Sequence, residues 1–252
     1  MSPWISPECL TLVLLAPFVG SFLAVLVVRL PQEEDIVVSR SRCRTCGHAL
    51  GFADLVPVLS WVFSGGKCRH CGAQISTLYP GMELAAIVVV IWGAMSVAPE
   101  ALVLTVLLGW TLLALAVMDA RSLFLSDALT LPLIPLGLVV ITALDPGGIW
   151  DSVAGVVVGA AMMSALAWAY LRYRHREGLG LGDVKLAAAA GAWVGLQGLG
   201  TVILWAVMVN AAMLAIVALK GERMTAETRV PLGTGLAAGL WLTWLYGPVS
   251  IA

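Results

Sequence analysis

The chain has 252 residues, of which 60% are hydrophobic and only 12% are charged, and its mean hydropathy is +0.97. Soluble globular proteins carry about 25% charged residues, so these values exclude a soluble globular domain. They predict an all-α polytopic membrane protein. We expect the lipid bilayer as a partner and no nucleic acid, although the net charge of −1 by itself says nothing about partners.

About 20 apolar residues are needed to span a bilayer as a helix. The first apolar stretch is too long for the hydrophobic region of a signal peptide, and no small-residue cleavage site follows it, so we interpret it as a retained helix. The sixth stretch is short and contains Lys185, so a partial or strongly tilted helix is the alternative there. The eight predicted spans are 10–28, 82–98, 101–118, 128–144, 152–171, 184–197, 201–219 and 232–249.

The distribution of basic residues supports eight spans. All 14 Lys and Arg residues lie in or beside alternate connections, whereas the opposite connections contain none. By the positive-inside rule the basic connections are cytoplasmic, and both termini are then outside. The basic connections are 29–81, 119–127, 172–184 and 220–231, and the opposite ones lie near 99–100, 145–151 and 198–200.

The first basic loop contains two Cys-x-x-Cys pairs, Cys43 with Cys46 and Cys68 with Cys71, with 21 residues between them. This spacing is close to that of zinc ribbons, and four thiolates satisfy tetrahedral Zn²⁺ in a closed, structural site. Disulfides are disfavoured in a cytoplasmic loop. We therefore predict a structural zinc, rather than two free dithiols, which folds a loop of about 50 residues that lacks a hydrophobic core.

Two further features adjoin the cysteines. The apolar run from Asp54 to Trp61 is a candidate for docking the loop against the membrane surface. Glu83 lies near the start of the second span, where a carboxylate is favoured by the helix dipole. A role of Glu83 in binding a substrate is the weaker alternative.

Two aspartates lie at the predicted cytoplasmic ends of spans. Asp119 ends the third span, and Asp183 begins the sixth, directly after a glycine-rich stretch that includes Gly180 and Gly182. Glycines allow positive φ and the close approach of another chain segment. An ionisable residue at the membrane is a functional candidate by default, although an aspartate there is also a good N-cap.

Two adjacent carboxyl groups share one proton. The ionised member then takes a proton from water, and the protonated member donates to a carbonyl oxygen or a leaving nitrogen, which is aspartic peptide hydrolysis. Asp127 competes with Asp119 for this role, but Asp127 is well placed as an N-cap, whereas Asp119 ends a helix where its charge opposes the dipole. Lys185 either biases the charge of Asp183 or extends towards the lipid headgroups.

The ordered set of motifs resembles the bacterial type IV prepilin peptidases, also called leader peptidase/N-methyltransferases. The chain departs from the family pattern at Ala24, at Ser126 and over 230–235, but not at the aspartates. The motifs are Gly20-Ser21-Phe22-Leu23 with Arg29-Leu30-Pro31, the two Cys pairs, Tyr79-Pro80 with Glu83, Asp119, and Gly180-Leu181-Gly182-Asp183-Val184-Lys185.

This resemblance implies an aspartyl protease of the GxGD type in the bacterial inner membrane, with Asp119 and Asp183 as catalytic residues. Gly180, Gly182 and Lys185 belong to the motif that supports Asp183. Such an enzyme removes a short basic leader from a type IV prepilin or pseudopilin on the cytoplasmic side. The resemblance also implies that the new N-terminus is methylated with S-adenosylmethionine.

The expected organisation is a first transmembrane helix (1–29), a cytoplasmic zinc-binding loop domain (30–81) and a transmembrane protease core (82–252). Two alternatives remain open. A proton- or ion-coupled transporter would also use membrane carboxylates, but it predicts carboxylates near mid-bilayer and internal repeats. A presenilin-like protease shares the Gly-Leu-Gly-Leu-Gly-Asp stretch but predicts neither the zinc loop nor Lys185.

Overall fold

The computed structural model describes residues 6–36, 40–174, 180–220 and 230–249. Regular structure in these ranges is helical, apart from two isolated β-bridges in the cysteine loop. Gly178, Leu179 and most of the basic connection 220–231 lie outside the described ranges. The α-helices are α1 (Pro7–Arg29), α2 (Leu59–Phe63), α3 (Leu78–Ser96), α4 (Pro99–Ser122), α5 (Asp127–Leu144), α6 (Ile149–Arg174), α7 (Leu181–Leu219) and α8 (Leu232–Tyr246).

The chain forms two compact units, Met1–Ala114 and Leu115–Ala252, and the boundary falls within α4. In the first unit α1 packs closely on α3. A Cβ atom at Gly20 would lie only 2.6 Å from the Cα atom of Glu83, so glycine is required there. The indole N–H of Trp110 donates to the carbonyl oxygen of Ala86 at 3.0 Å, which fixes the first part of α4 to α3.

In the second unit α6 and α7 pack through small residues. A Cβ atom at Gly155 would lie 2.6 Å from the carbonyl oxygen of Gly191, and one at Gly159 would lie 2.6 Å from that of Ala187. The order of these contacts makes α6 and the first part of α7 antiparallel. Small residues let helix backbones approach closely in lipid, so this stretch is a packing surface.

Helix α7 turns back on itself at Gly195. This residue has φ 69° and ψ 179°, which are not helical values. After it, the backbone of Val202 contacts Gly239 of α8, and the backbone of Ala206 contacts Gly235. The second part of α7 is therefore antiparallel to α8.

The reversal follows from where α7 and α8 begin. Leu125 contacts Gly182 at the start of α7 and also Gly233 at the start of α8. These two helices thus begin at the same end of the unit and run in the same direction. Since the second part of α7 runs against α8, α7 leaves this end, turns at Gly195 and returns.

The structure confirms an all-helical membrane protein, but the span count differs from the prediction. Six helices in the described residues are long and apolar enough to cross a membrane, rather than eight. The predicted sixth and seventh spans are the two antiparallel parts of the 39-residue α7, and the turn between them lies at Gly195 and not near 198–200. The last helix has only 15 residues, since Gly247 with φ 79° and then Pro248 end it.

Candidate active site and metal centre

Asp119 lies in the last turn of α4 and is buried. Its Oδ2 atom accepts a hydrogen bond from the backbone N–H of Thr234 at 2.7 Å. Thr234 is in the first turn of α8, where backbone N–H groups have no partner within the helix. The hydroxyl of Thr234 donates to the carbonyl oxygen of Ala116 at 2.9 Å and lies 3.2 Å from the same Oδ2 atom. The start of one helix therefore stabilises a carboxylate at the unfavourable end of another.

Asp183 is the third residue of α7 and is also buried. Its Oδ2 atom accepts from the backbone N–H of Gly180 at 3.3 Å. Gly180 is the N-cap residue and Asp183 is at position N3, from which its side chain caps the backbone N–H of Gly180, so Asp183 does cap this helix start although it is not the N-cap residue itself. The Oδ1 atom of Asp183 is buried and has no hydrogen-bond partner among the described residues. Such atoms are uncommon in folded proteins.

The two aspartates approach each other around Leu125. A Cβ atom at Gly182 would lie 2.7 Å from the Cβ atom of Leu125, and one at Gly233 would lie 2.8 Å from its Cδ1 atom. Gly233 also contacts Asp119, since its Cβ atom would lie 3.0 Å from the Asp119 Cγ atom. Two buried aspartates from helices distant in sequence are thus brought together around Leu125.

Lys185 pairs with Asp127, a partner that neither interpretation of the sequence had named. The Lys185 Nζ atom lies 2.6 Å from the Asp127 Oδ1 atom, and both side chains are partly exposed. Asp127 is the first residue of α5, and Ser126 rather than Asp127 occupies the N-cap position. The ion pair joins the start of α7 to the start of α5, two residues after Asp183.

Thr234 is the functional candidate that the sequence did not reveal. It lies in the segment 230–235, which departs from the family pattern. The available signal was a polar residue between glycines at the start of the last apolar span. That signal does not indicate a partner 115 residues away along the chain.

In the cysteine loop, four sulfur atoms come together. The Sγ atoms of Cys43, Cys46, Cys68 and Cys71 all lie within 4.8 Å of one another, and those of Cys43 and Cys71 are 3.8 Å apart. A tetrahedral zinc with Zn–S bonds of about 2.3 Å places its sulfur ligands about 3.8 Å apart. The four thiols therefore fit a zinc ion with little rearrangement.

Each Cys pair forms the same turn. The N–H of Gly47 donates to the carbonyl oxygen of Cys43 at 2.9 Å, and Gly72 bonds to Cys68 at the same distance. The two glycines have φ of 71° and 72°, values that favour glycine. Two equivalent turns thus present two sulfurs each.

The thiols do not ionise independently. Backbone N–H groups of Cys46 and Thr45 lower the pKa of Cys43 to about 6. The backbone at Ala73 favours the Cys71 thiolate, but desolvation and the other three sulfurs outweigh it and raise the pKa of Cys71 to about 12. Several thiolates at this separation repel one another, so a bound cation would stabilise the complete set of four.

Fold and site together define a class: a helical membrane protein with two buried aspartates brought together at helix ends and a separate four-cysteine loop. Residues 14–97 match the Bacterial Peptidase A24 N-terminal domain, and residues 106–219 match the Type IV leader peptidase family. No solved structure matches the chain.

Several curated relatives carry the name prepilin leader peptidase/N-methyltransferase. One from Aeromonas hydrophila is 34% identical over 91% of this chain and 87% of its own length. One from Burkholderia pseudomallei is 37% identical over 86% of this chain and 71% of its own, and one from Pseudomonas aeruginosa is 33% identical over 93% and 89%. The chain belongs to the type IV leader peptidase family, a family of membrane peptidases, and the resemblance inferred from its motifs is confirmed.

Proposed function

We propose that the protein cleaves the short basic leader of a type IV prepilin or pseudopilin, with Asp119 and Asp183 as its catalytic pair. The observation that carries this proposal is the pair of buried carboxyl groups brought together around Leu125, one of which keeps an oxygen atom without a hydrogen-bond partner in the described part of the chain. The names of the curated relatives supply the substrate class. Membership of a peptidase family favours this function over the transporter and presenilin-like alternatives.

In the proposed reaction the pair holds one proton. The ionised carboxylate takes a proton from a water molecule, whose oxygen attacks the scissile carbonyl carbon, while the protonated carboxyl group donates to the carbonyl oxygen. A second proton transfer to the leaving nitrogen then breaks the C–N bond. The partnerless Oδ1 atom of Asp183 is the natural position for the water, and Thr234 holds the Asp119 carboxylate in place.

Gly180, Gly182 and Lys185 have supporting roles in this proposal. The N–H of Gly180 orients Asp183, the missing side chain of Gly182 allows contact with Leu125, and Lys185 fixes the start of α7 through Asp127. None of the three needs to contact the peptide.

The four cysteines would hold Zn²⁺ as a structural ion that folds the loop within 30–81, while 82–252 forms the protease core. A zinc with four thiolates has no open position, so it supplies no chemistry to hydrolysis. The relatives' names also support methylation of the new N-terminus with S-adenosylmethionine as the methyl donor.

The basic connections support a bacterial inner-membrane protein with both termini outside and with the zinc loop and the active site in the cytoplasm. In this orientation, the pair meets the leader before the substrate is exported. A protease added to sealed, right-side-out vesicles should therefore leave the cysteine loop intact.

The decisive experiment measures cleavage of a synthetic prepilin-like peptide by the purified protein. Asp119→Asn and Asp183→Asn should each abolish cleavage, because each removes one of the two carboxyl groups, while thermal unfolding shows that both variants remain folded. Asp145→Asn is the matched control, since Asp145 is exposed after α5, and it should cleave like the wild type. Near-normal cleavage by Asp119→Asn or by Asp183→Asn would show that these two residues are not the catalytic pair.

A further inference from the structure

The loop between the two Cys pairs exposes a group of large apolar side chains. Phe52 is 94% exposed and Phe63 is 80% exposed, although large apolar groups of this kind are usually buried or in contact with a partner. Short helix α2 contributes three of them at positions i, i+3 and i+4, which lie on one helical face. We call this group the apolar loop patch: Phe52, Leu55, Val56, Leu59, Val62 and Phe63.

The opposite side of α2 is fixed to the rest of the loop. The indole N–H of Trp61 donates to the carbonyl oxygen of Ile75 at 3.2 Å, and its ring packs against Gly66. The helix therefore has one inward and one outward face, and the outward face is apolar. That pattern is typical of segments that lie in a membrane interface.

A buried carboxylate places this loop beside the helices and not beyond their ends. Glu83 is only 5% exposed, and its Oε2 atom accepts a hydrogen bond from the backbone N–H of Val58 at 2.6 Å. Glu83 is five residues into α3, or about 7.5 Å along its axis. It also contacts Gly20, which lies nine residues, or about 13 Å, before α1 ends at Arg29.

The backbone at this contact is held in an uncommon conformation. Val58 has φ 60° and ψ −54°, values that are rare for a β-branched residue. Such a conformation persists only where surrounding contacts fix it, and the bond to Glu83 is that contact. The position of the loop along α3 is thus a fixed feature of the first unit.

We propose that the apolar loop patch is inserted into the lipid bilayer beside α1 and α3. Helix α3 has 19 residues and a length of about 28 Å, so a bilayer core of about 30 Å covers nearly all of it, including the level of Glu83. At this level Leu84 of α3 is 52% exposed, which suits contact with lipid. The patch continues that lipid-facing surface, and the inference does not depend on the proposed catalytic function.

The test uses the full-length protein in vesicles of phosphatidylcholine and phosphatidylglycerol. A carbene is generated either from a diazirine on a lipid chain or from a water-soluble diazirine, and the labelled peptides are identified by mass spectrometry. The lipid-borne probe should label 52–63 as it labels α3, whereas the water-soluble probe should label the exposed Cys turns and spare the patch. Labelling of 52–63 from water alone would overturn the proposal.

A variant pair tests the cause of the labelling. Phe52→Asp combined with Phe63→Asp should lose lipid-borne labelling over 55–62, because charged groups are excluded from the bilayer core. Gln74→Asp, on the exposed second Cys turn, should keep it, and zinc content should be equal in both. Unchanged labelling in the double variant contradicts the proposal. Loss of lipid labelling when a prepilin-like peptide is added would also contradict it, because the apolar loop patch would then bind the substrate and not lipid.

Discussion

Replacing Gly182 with alanine tests whether contact between α7 and Leu125 positions Asp183. The new Cβ atom would lie 2.7 Å from the Leu125 Cβ atom, whereas ordinary contact begins at 3.4 Å. The start of α7 must therefore move by about 0.7 Å, more than the ~0.5 Å that catalytic geometry tolerates. A misplacement of about 1 Å costs about 100-fold, so we expect kcat/KM to fall roughly 10- to 100-fold, or about 1.4–2.7 kcal/mol.

The assay is steady-state cleavage of a fluorogenic prepilin-like peptide, together with thermal unfolding of each variant. Gly200→Ala is the matched control, because it makes the same change in the same helix where no atom lies within 4 Å of the new Cβ atom. It should keep full activity. Adding Leu125→Gly to Gly182→Ala removes the opposing side chain and should recover part of the lost activity.

Full activity in Gly182→Ala would refute this reasoning, because the contact with Leu125 would then have no effect on the position of Asp183. An equal loss of kcat/KM in Gly200→Ala would also refute this reasoning, because any alanine introduced into α7 would then have the same effect. A loss explained wholly by unfolding would appear as a lower Tm with normal activity at low temperature.

Three further changes test the other contacts. Lys185→Asp should lower cleavage by placing two acidic groups together, and adding Asp127→Lys should restore it by reversing the ion pair; no recovery would show that Lys185 acts elsewhere. Thr234→Val should lower kcat/KM about fivefold, because it loses one hydrogen bond of about 1 kcal/mol, while Thr234→Ser should retain activity. If Thr234→Val cleaves as fast as the wild type, the hydroxyl of Thr234 has no role in positioning Asp119. Metal analysis should find about one zinc per chain. The variant Cys68→Ser should contain no zinc, and its loop should unfold at a lower Tm. If the wild-type protein is purified without chelator and contains no zinc, the metal assignment is wrong.

Hydropathy predicted the membrane helices well because lipid leaves the backbone almost no alternative to a helix. The first five spans agree with α1, α3, α4, α5 and α6 to within a few residues. The turn in α7 was misplaced because Gly195 lies in an apolar, alanine-rich stretch that has a helical pattern on both sides. Its positive φ depends on packing against α6, where Asp151 occupies the space of a Cβ atom.

The residues of the site also fall into two groups: those that the sequence indicated and those that only the structure revealed. Cysteine spacing and the position of Asp119 and Asp183 at span ends are local properties, so the sequence indicated them directly. The partners of these residues are not local. The bond from Thr234 to Asp119 and the bond from Val58 to Glu83 join segments whose approach depends on helix packing. For Glu83 the sequence favoured a carboxylate stabilised by its own helix, whereas a strained loop residue provides its partner.

The reversal of α7 explains how two helix starts can serve two aspartates at one end of the second unit. A carboxylate at the end of α4 opposes the helix dipole, and it is tolerated because the first turn of α8 donates to it. Helix α8 begins at the end from which α7 set out, and the second part of α7 has returned to that end. The turn at Gly195, distant from both carboxyl groups along the helix, is therefore a condition for their pairing. Substitution of Gly195 by any residue with a Cβ atom should disrupt Asp119 as well as the turn itself.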